Sequence, residues 1–282
     1  MFVDAITTAS SFTFPLIISN RFQDGSISSH LGSFVLLNEE GWILTAAHII
    51  GETKKHLEHV EEYRNYLNGE GVVINPKWIL HHSLWFGADE HHIPEFHLLP
   101  ENDLAIGQIK DFVPKAGQRY PKIIDPSAIR AGRSLCRLGF PFYEINATFS
   151  GNTFHYSSDL FPIPHFPLDG ILTRAISGGT APWGEVKWLE TSTPGLRGQS
   201  GGPLFDSQAN LWGIQSMTRH LPLGFTPSVN KGGQGVDQFI NLGWSVHPEV
   251  ICQFLGRYQV RYQRAEVTCS SDLPRTLRTG IL

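Results

Sequence analysis

The sequence predicts an all-β fold of many short strands. Three observations carry this expectation. Glycine (28) and proline (18) recur along the chain, and dense turn signals imply short strands between them. The apolar runs are brief and bounded: Phe12–Ser19 stops at Asn20, and His30–Leu37 stops at the turn Asn38-Glu-Glu-Gly41. Finally, 282 residues, 41% hydrophobic and 17% charged, suffice for one large domain or two small ones.

The elements follow in chain order. Phe12–Ser19 is apolar and β-rich and reads as the first strand. His30–Leu37, the turn 38–41 and Trp42–Ala46 form a β-hairpin, and His48 sits just past its second strand. Leu57, Val60, Tyr63 and Leu67 fall at helical spacing among charged residues, so a helix of about three turns is expected on the first half of the fold. Gly71–Ile74 and Trp78–Leu80 read as strands. The following stretch holds His81, His82, Asp89, Glu90, His91, His92 and His97. Imidazoles and carboxylates are zinc ligands, but these pairs are adjacent, and strand neighbours face opposite ways. No helical His-x-x-x-His spacing is present. We expect a solvated loop here and no metal, with a pH-responsive loop beside the cleft as a further reading.

One stretch carries chemistry. In Gly195-Leu-Arg-Gly-Gln-Ser-Gly-Gly-Pro-Leu-Phe205, Ser200 is flanked by Gly198, Gly201 and Gly202. A serine hydroxyl is a weak nucleophile that needs an adjacent base and donors aimed at the developing oxyanion. Glycines let backbone amides approach a reacting carbonyl, and Pro203 fixes the exit from the turn. A base and a carboxylate precede it: Gly41-Trp-Ile-Leu-Thr-Ala-Ala-His48 is an apolar strand ending in histidine, and Asp103 opens Asp-Leu-Ala-Ile-Gly-Gln-Ile109. The chain order His, Asp, Ser is that of the chymotrypsin arrangement.

On Thr-Ala-Ala-His48, Asp103-Leu-Ala-Ile and Gly198-Gln-Ser-Gly-Gly-Pro, the sequence resembles the trypsin-like (chymotrypsin-fold) serine proteases. The hairpin Gly32-Ser-Phe-Val35 with Trp42-Ile-Leu-Thr45 is most similar to the HtrA-type (Deg) proteases, with Phe34 where their second glycine stands. The resemblance covers residues 13–258 in patches, leaving out 51–100 and 144–168. It implies two six-stranded antiparallel β-barrels, a helical insertion and a C-terminal helix. Residues 12–110 would form the first barrel with the insertion 51–100, residues 111–132 the connection, and 133–258 the second barrel and helix. All belong to one protease unit spanning 1–282. In the second barrel, Arg133-Ser-Leu-Cys-Arg-Leu-Gly-Phe-Pro141, Ile171–Ser177, Trp188–Thr191, Leu211–Met217 and Phe239–Val246 match the family's strands. Residues 144–168 read as a long loop. Pro248–Tyr258 reads as a helix with proline in its first turn. The tail 259–282 is shorter than the roughly 40 residues an independent domain usually needs, so no PDZ domain is expected.

The resemblance also implies roles. His48 is the general base and then the general acid, Asp103 orients it, and Ser200 is the nucleophile. The amides of Gly198 and Ser200 form the oxyanion hole, with Gln199 between them. Residues 193–197 (Pro194, Gly195 and Leu196 among them), Gln215, Ser216 and Met217, and Leu242–Ser245 with Gly243 wall the specificity pocket. Pro194 stands where Lys- or Arg-preferring relatives carry an acid, so uncharged small or medium residues are expected before the cut, unless Glu190 or Asp237 reaches the pocket. Digestive relatives pair a new N-terminus with an aspartate just before the serine. Gln199 stands there, so N-terminal processing is not expected to be required.

Composition narrows the partners. A net charge of -4 without a basic block gives no reason to expect nucleic acid, and no apolar run is long enough to span a bilayer. Cys136, Cys252 and Cys269 are an odd set without metal-ligand spacing. Met1-Phe-Val-Asp-Ala-Ile lacks a basic region before its apolar residues. A cytoplasmic protein with reduced thiols is expected. The sequence thus predicts a serine endopeptidase acting on protein or peptide substrates without cofactor. The alternative is a protease-fold binding or regulatory module, latent until a partner or substrate orders the site. A dedicated intracellular partner or an oligomer fits either reading.

Overall fold

Long runs of consecutive buried residues, such as 15–20 and 31–36, build two packed sheets. The computed structural model describes residues 2–71, 73–87, 91–224, 229–231, 234–236 and 238–266. A short helix α1 (Val3–Ser10) leads into β1 (Thr13–Phe22), β2 (Ile27–Leu36) and β3 (Trp42–Thr45). Helix α2 (Ala47–Leu67) follows, then β4 (Ile79–Phe86), β5 (Phe96–Leu99) and β6 (Leu104–Gln108). These six strands form one sheet in the order β4-β1-β2-β3-β6-β5. Leu16 and Ile18 on β1, with Phe34 and Leu36 on β2, point into its core. No backbone ladder joins the edge strands β4 and β5. Their rings do: Phe86 stacks on Phe96 at 5.7 Å and meets Phe34 at 5.6 Å.

The second half adds β7 (Lys122–Ile123), β8 (Ser134–Arg137), the hairpin β9 (Ala147–Ser150) and β10 (Thr153–Tyr156), β11 (Leu168–Ala181) and β12 (Gly184–Thr191). Then come β13 (Pro203–Phe205), β14 (Leu211–Pro222), a small hairpin β15 (Val229–Lys231) and β16 (Gln234–Val236), and β17 (Phe239–Val246). Helix α3 (Pro248–Arg257) and β18 (Gln263–Arg264) complete the described chain. Strands β13-β8-β11-β12-β17-β14 close into a ring because β14 also pairs with β13. Strands β7 and β18 attach in parallel outside it. The two-barrel expectation therefore holds, with the first sheet curled and the second closed. A shared core runs between them: Leu37, Leu44 and Leu104 of the first half meet Leu138, Phe205 and Ile214 of the second, with α3 packed on top through Ile251 and Phe254. No described helix is long and apolar enough to cross a membrane.

Four local expectations are corrected. Helix α2 starts at Ala47, not near Leu57, and runs 21 residues. Its first turn buries Ala47, Ile49 and Ile50, its later turns pack through aromatic and polar side chains, and Leu57 and Leu67 are exposed. Tyr63 and Tyr66 pack on Trp78, and His59 accepts the Ile79 amide at 3.0 Å, so the helix holds the start of β4. Of the expected strand 71–74, Gly71, Val73 and Ile74 lie in no strand and Val73 and Ile74 are exposed, while Val72 lies outside the described residues. His81 and His82 lie on β4 instead of in a loop: His81 stacks on Phe149 at 4.5 Å, and His82 bonds Asn20 at 2.7 Å and Thr53 at 3.0 Å. Residues 144–168, expected as loop, contain the β9–β10 hairpin. Gly151 and Asn152 both take positive φ at its turn, as a two-residue primed turn requires. Asp89, Glu90, Asp237 and Cys269 lie outside the described residues. Cys136 and Cys252 are free thiols, and burial pushes the Cys136 thiol up to about 12.

Candidate active site

The pair His48–Asp103 is built by a helix start and a strand start. No side chain of the local sequence caps α2, so its first amides need partners from elsewhere. Asp103 supplies them. Its carbonyl accepts Ala47 N–H at 3.1 Å, and its Oδ1 accepts His48 N–H at 2.7 Å. Asp103 itself takes φ 50 at the end of the one-turn helix Pro100–Asn102, a left-handed geometry aspartate tolerates better than most residues. Its Oδ2 accepts from His48 Nδ1 at 2.8 Å and from Ser216 Oγ. An ionised carboxylate can only accept, so Nδ1 carries the hydrogen and Nε2 keeps its lone pair. The Asp103 side chain is 13% exposed and that of His48 52%, which leaves the imidazole facing the cleft.

The serine loop is a set of backbone bonds. Gln199 N–H closes a turn onto Leu196 C=O at 3.0 Å. Gly198 has φ 92 while Arg197 is not left-handed, the signature of a type II turn. That turn type fixes which side of the loop the Gly198 N–H faces. Gly198 C=O accepts from Phe140 N at 3.0 Å and from Ser33 Oγ at 2.6 Å. Ser33 N–H donates to Ser200 C=O at 2.8 Å, so β2 grips the loop twice. Gly201 approaches β2 so closely that a Cβ would lie 2.1 Å from the Ser33 carbonyl oxygen. Among the described residues, the amides of Gly198 and Ser200 donate to no acceptor. The fully buried Gln199 is satisfied within the protein: its Oε1 accepts Leu196 N–H at 3.0 Å and its Nε2 donates to Phe166 C=O at 3.4 Å.

His48 and Ser200 line the same cleft, but they are not hydrogen-bonded. Ser200 Oγ instead donates to the Ser216 carbonyl at 3.4 Å. The fold thus joins His48 to Asp103 and sets Ser200 in the same cleft with a different partner. Beside Ser200 lies a cavity of about 450 Å³, and Pro194, Gly195, Leu196, Gln215, Ser216 and Met217 are brought together on its wall. Gly243 is a correction: it lies behind this wall, and a Cβ there would meet Arg137 at 2.3 Å. Glu190 does not reach the cavity either. It is taken up by Arg174 at 2.9 Å, Thr173 at 2.8 Å and Trp244 at 3.0 Å.

Sequence reasoning missed Ser33, which ties the loop to β2, and the bond from Ser216 to Asp103. It also missed Thr218, His220 and Asn241 on the cavity wall. The buried Arg137 carried a signal, since a charged residue inside an apolar run is rarely buried without a partner.

The sequence matches the model of the trypsin-like peptidase domain over residues 32–214. The chain belongs to the trypsin-like peptidase family. Solved structures agree on the fold. A variant of the HtrA-type protease AlgW with a tripeptide superposes with TM-score 0.50 at 17% identity, covering 91% of this chain and 62% of that one. A variant of the same protease with a decapeptide gives TM-score 0.50 at 15% identity, covering 92% and 68%. The chain therefore spans about three-fifths of the length of the first of these. No curated protein matches the sequence.

Proposed function

We propose that this trypsin-like peptidase is a serine endopeptidase that cleaves peptide bonds in protein or peptide substrates. The observation that carries the proposal is the double hold of Asp103 on His48, through the ring at 2.8 Å and the helix amide at 2.7 Å. It leaves Nε2 as a base facing the cleft that Ser200 shares. The reaction requires Ser200 Oγ to leave the Ser216 carbonyl and reach Nε2; catalytic bonds often tighten only when substrate binds. His48 then takes the hydroxyl proton as Oγ attacks the carbonyl carbon, and the Gly198 and Ser200 amides receive the oxyanion. One such donor is worth roughly 3–4 kcal/mol in related chemistry. Collapse expels the amine, which takes the proton from His48 Nε2 and leaves an acyl-Ser200. Water, deprotonated by the same nitrogen, releases the acid. The Asp103 carboxylate stabilises the imidazolium in both halves without itself becoming protonated. Every step uses side chains and backbone of this chain.

The test is hydrolysis of a mixed peptide library, read by mass spectrometry, for the wild type and Ser200→Ala. Loss of all cleavage in the variant, with unchanged circular dichroism, supports the proposal. Cleavage surviving at near wild-type rate ends it.

A further inference from the structure

The cavity beside Ser200 is short of negative charge. Arg197 stands on its rim, shared with the cleft that holds His30 and His48, exposed and with no ion pair among the described residues. On the opposite wall, His220 Nδ1 and Asn241 Oδ1 lie 2.5 Å apart, which leaves the Asn241 NH₂ as a free donor. Directly behind Pro194 sits Arg137, 1% exposed. Its guanidinium donates to Pro194 C=O at 3.0 Å, Thr193 C=O at 2.8 Å and Thr193 Oγ1 at 3.0 Å. Its Nε is buried without a partner. These acceptors are all neutral, and buried cations are normally paired with a carboxylate.

The nearby acids are committed elsewhere. Asp103 is held by His48 and Ser216, and Glu190 by Arg174, Thr173 and Trp244. No Asp or Glu among the described residues lines the cavity. An anion entering it would meet fixed donors and an unscreened buried cation, where charge-assisted bonds are roughly twice as strong as neutral ones.

Resting on the protease reading above, we propose that this pocket selects substrates with a carboxylate side chain, Glu or Asp, immediately before the cut bond. This replaces the uncharged preference suggested by Pro194 alone. The cation that sets it stands behind the backbone, where the residue six before the serine does not report it. Arg197 and Asn241 would contact the substrate carboxylate, with His220 orienting the Asn241 amide. Arg137 would act through the Thr193–Pro194 backbone as a positioning residue.

The experiment uses the 282-residue chain carrying Ser200→Ala and fluorescent peptides that are identical except for Glu, Gln or Lys before the scissile bond. Anisotropy should show the Glu peptide binding about tenfold tighter than the isosteric Gln peptide, a charge effect of the size such complementarity gives, and Lys weakest. Arg197→Gln and, separately, Arg137→Met should pull the Glu/Gln ratio towards one; a merely structural role would weaken both peptides together. Equal binding of Glu and Gln, or tighter Lys, overturns the inference. Turnover of the same peptides by wild type reports separately on the protease reading. A chain that prefers Glu but cuts nothing sinks that reading alone, and one that cuts Gln and Lys peptides as fast as Glu sinks this inference alone.

Discussion

The two sheets meet the same need for closure in different ways, and the site divides along that difference. The second sheet closes by backbone pairing, β13 to β14, and Pro203 of β13 follows the serine loop within three residues of Ser200. The loop is consequently clamped at both ends: Gly201 N–H and Gln215 C=O are bonded at 2.8 Å, and Gln215 N–H returns a bond of the same length to Gly202. The first sheet closes by ring packing, and its contribution, His48, is carried on the first turn of α2, where Asp103 holds both the ring and the leading amides. The Ser200 loop is fixed by many redundant bonds, the His48 ring by one carboxylate. Damage to the base side should therefore cost activity without stability, and damage to the serine loop should cost both.

Asp103→Asn sharpens this contrast most. The amide still fills the space but no longer demands hydrogen on Nδ1, and a comparable change in a chymotrypsin-type triad lowers turnover by about 10⁴. Thermal unfolding should shift little, and a single-turnover assay against wild type reads the loss. Next is Gly198→Ala. A Cβ there would sit 2.4 Å from the Phe140 carbonyl oxygen, on a residue at φ 92, so the turn should flip and remove one oxyanion donor. A loss of about 10²–10³ in kcat is expected, together with a lower Tm. If Gly198→Ala kept both activity and Tm, the clamped-loop account would fail.

Gln199→Asp probes the buried amide. It would place a carboxylate where no cation waits and remove the donor to Phe166, so a destabilisation of several kcal/mol is expected by denaturant titration. Ser33→Ala keeps the backbone bond to Ser200 but removes the hydroxyl bond to Gly198. A loss of about 1 kcal/mol of stability, with activity reduced about tenfold, would match one strut removed from a redundant set.

The smallest effect is a pH slope. His247 Nδ1 accepts the Glu249 amide at the start of α3 at 3.2 Å, and burial lowers its pKa from 6.5 to about 4. The folded state thus holds fewer protons than the unfolded one between these values. Stability should be flat above about pH 6.5 and fall as pH drops towards 4. His82, buried against Asn20 and lowered to about 4, adds to the same slope. His247→Asn, which keeps a cap acceptor, should flatten part of that slope in denaturation midpoints measured from pH 7 to 4.5. An unchanged slope would mean the cap is not titrating.

How far the sequence reads depends on whether a signal is local. The serine loop did read, because its glycines are each required by a local turn or a close approach. The start of α2 did not, because its cap is Asp103, 55 residues away in sequence. His81 and His82 were obscured because their partners Phe149, Asn20 and Thr53 come from three other elements. The β9–β10 hairpin was legible and overlooked: Gly151-Asn152 between Phe149 and Phe154 is a two-residue turn signal. The pocket walls read in part, but Asn241 and His220 face the cavity only once β17 and β14 pair.

The central claim is that Ser200 is a nucleophile activated by the Asp103-held His48. A fluorophosphonate probe tests it most directly, since it reacts only with an activated serine and needs no knowledge of the substrate. Intact-mass and peptide analysis should find one adduct, on Ser200, absent in Ser200→Ala and strongly suppressed in His48→Ala. A wild-type chain that takes no label, or a label elsewhere that persists in Ser200→Ala, would contradict the account.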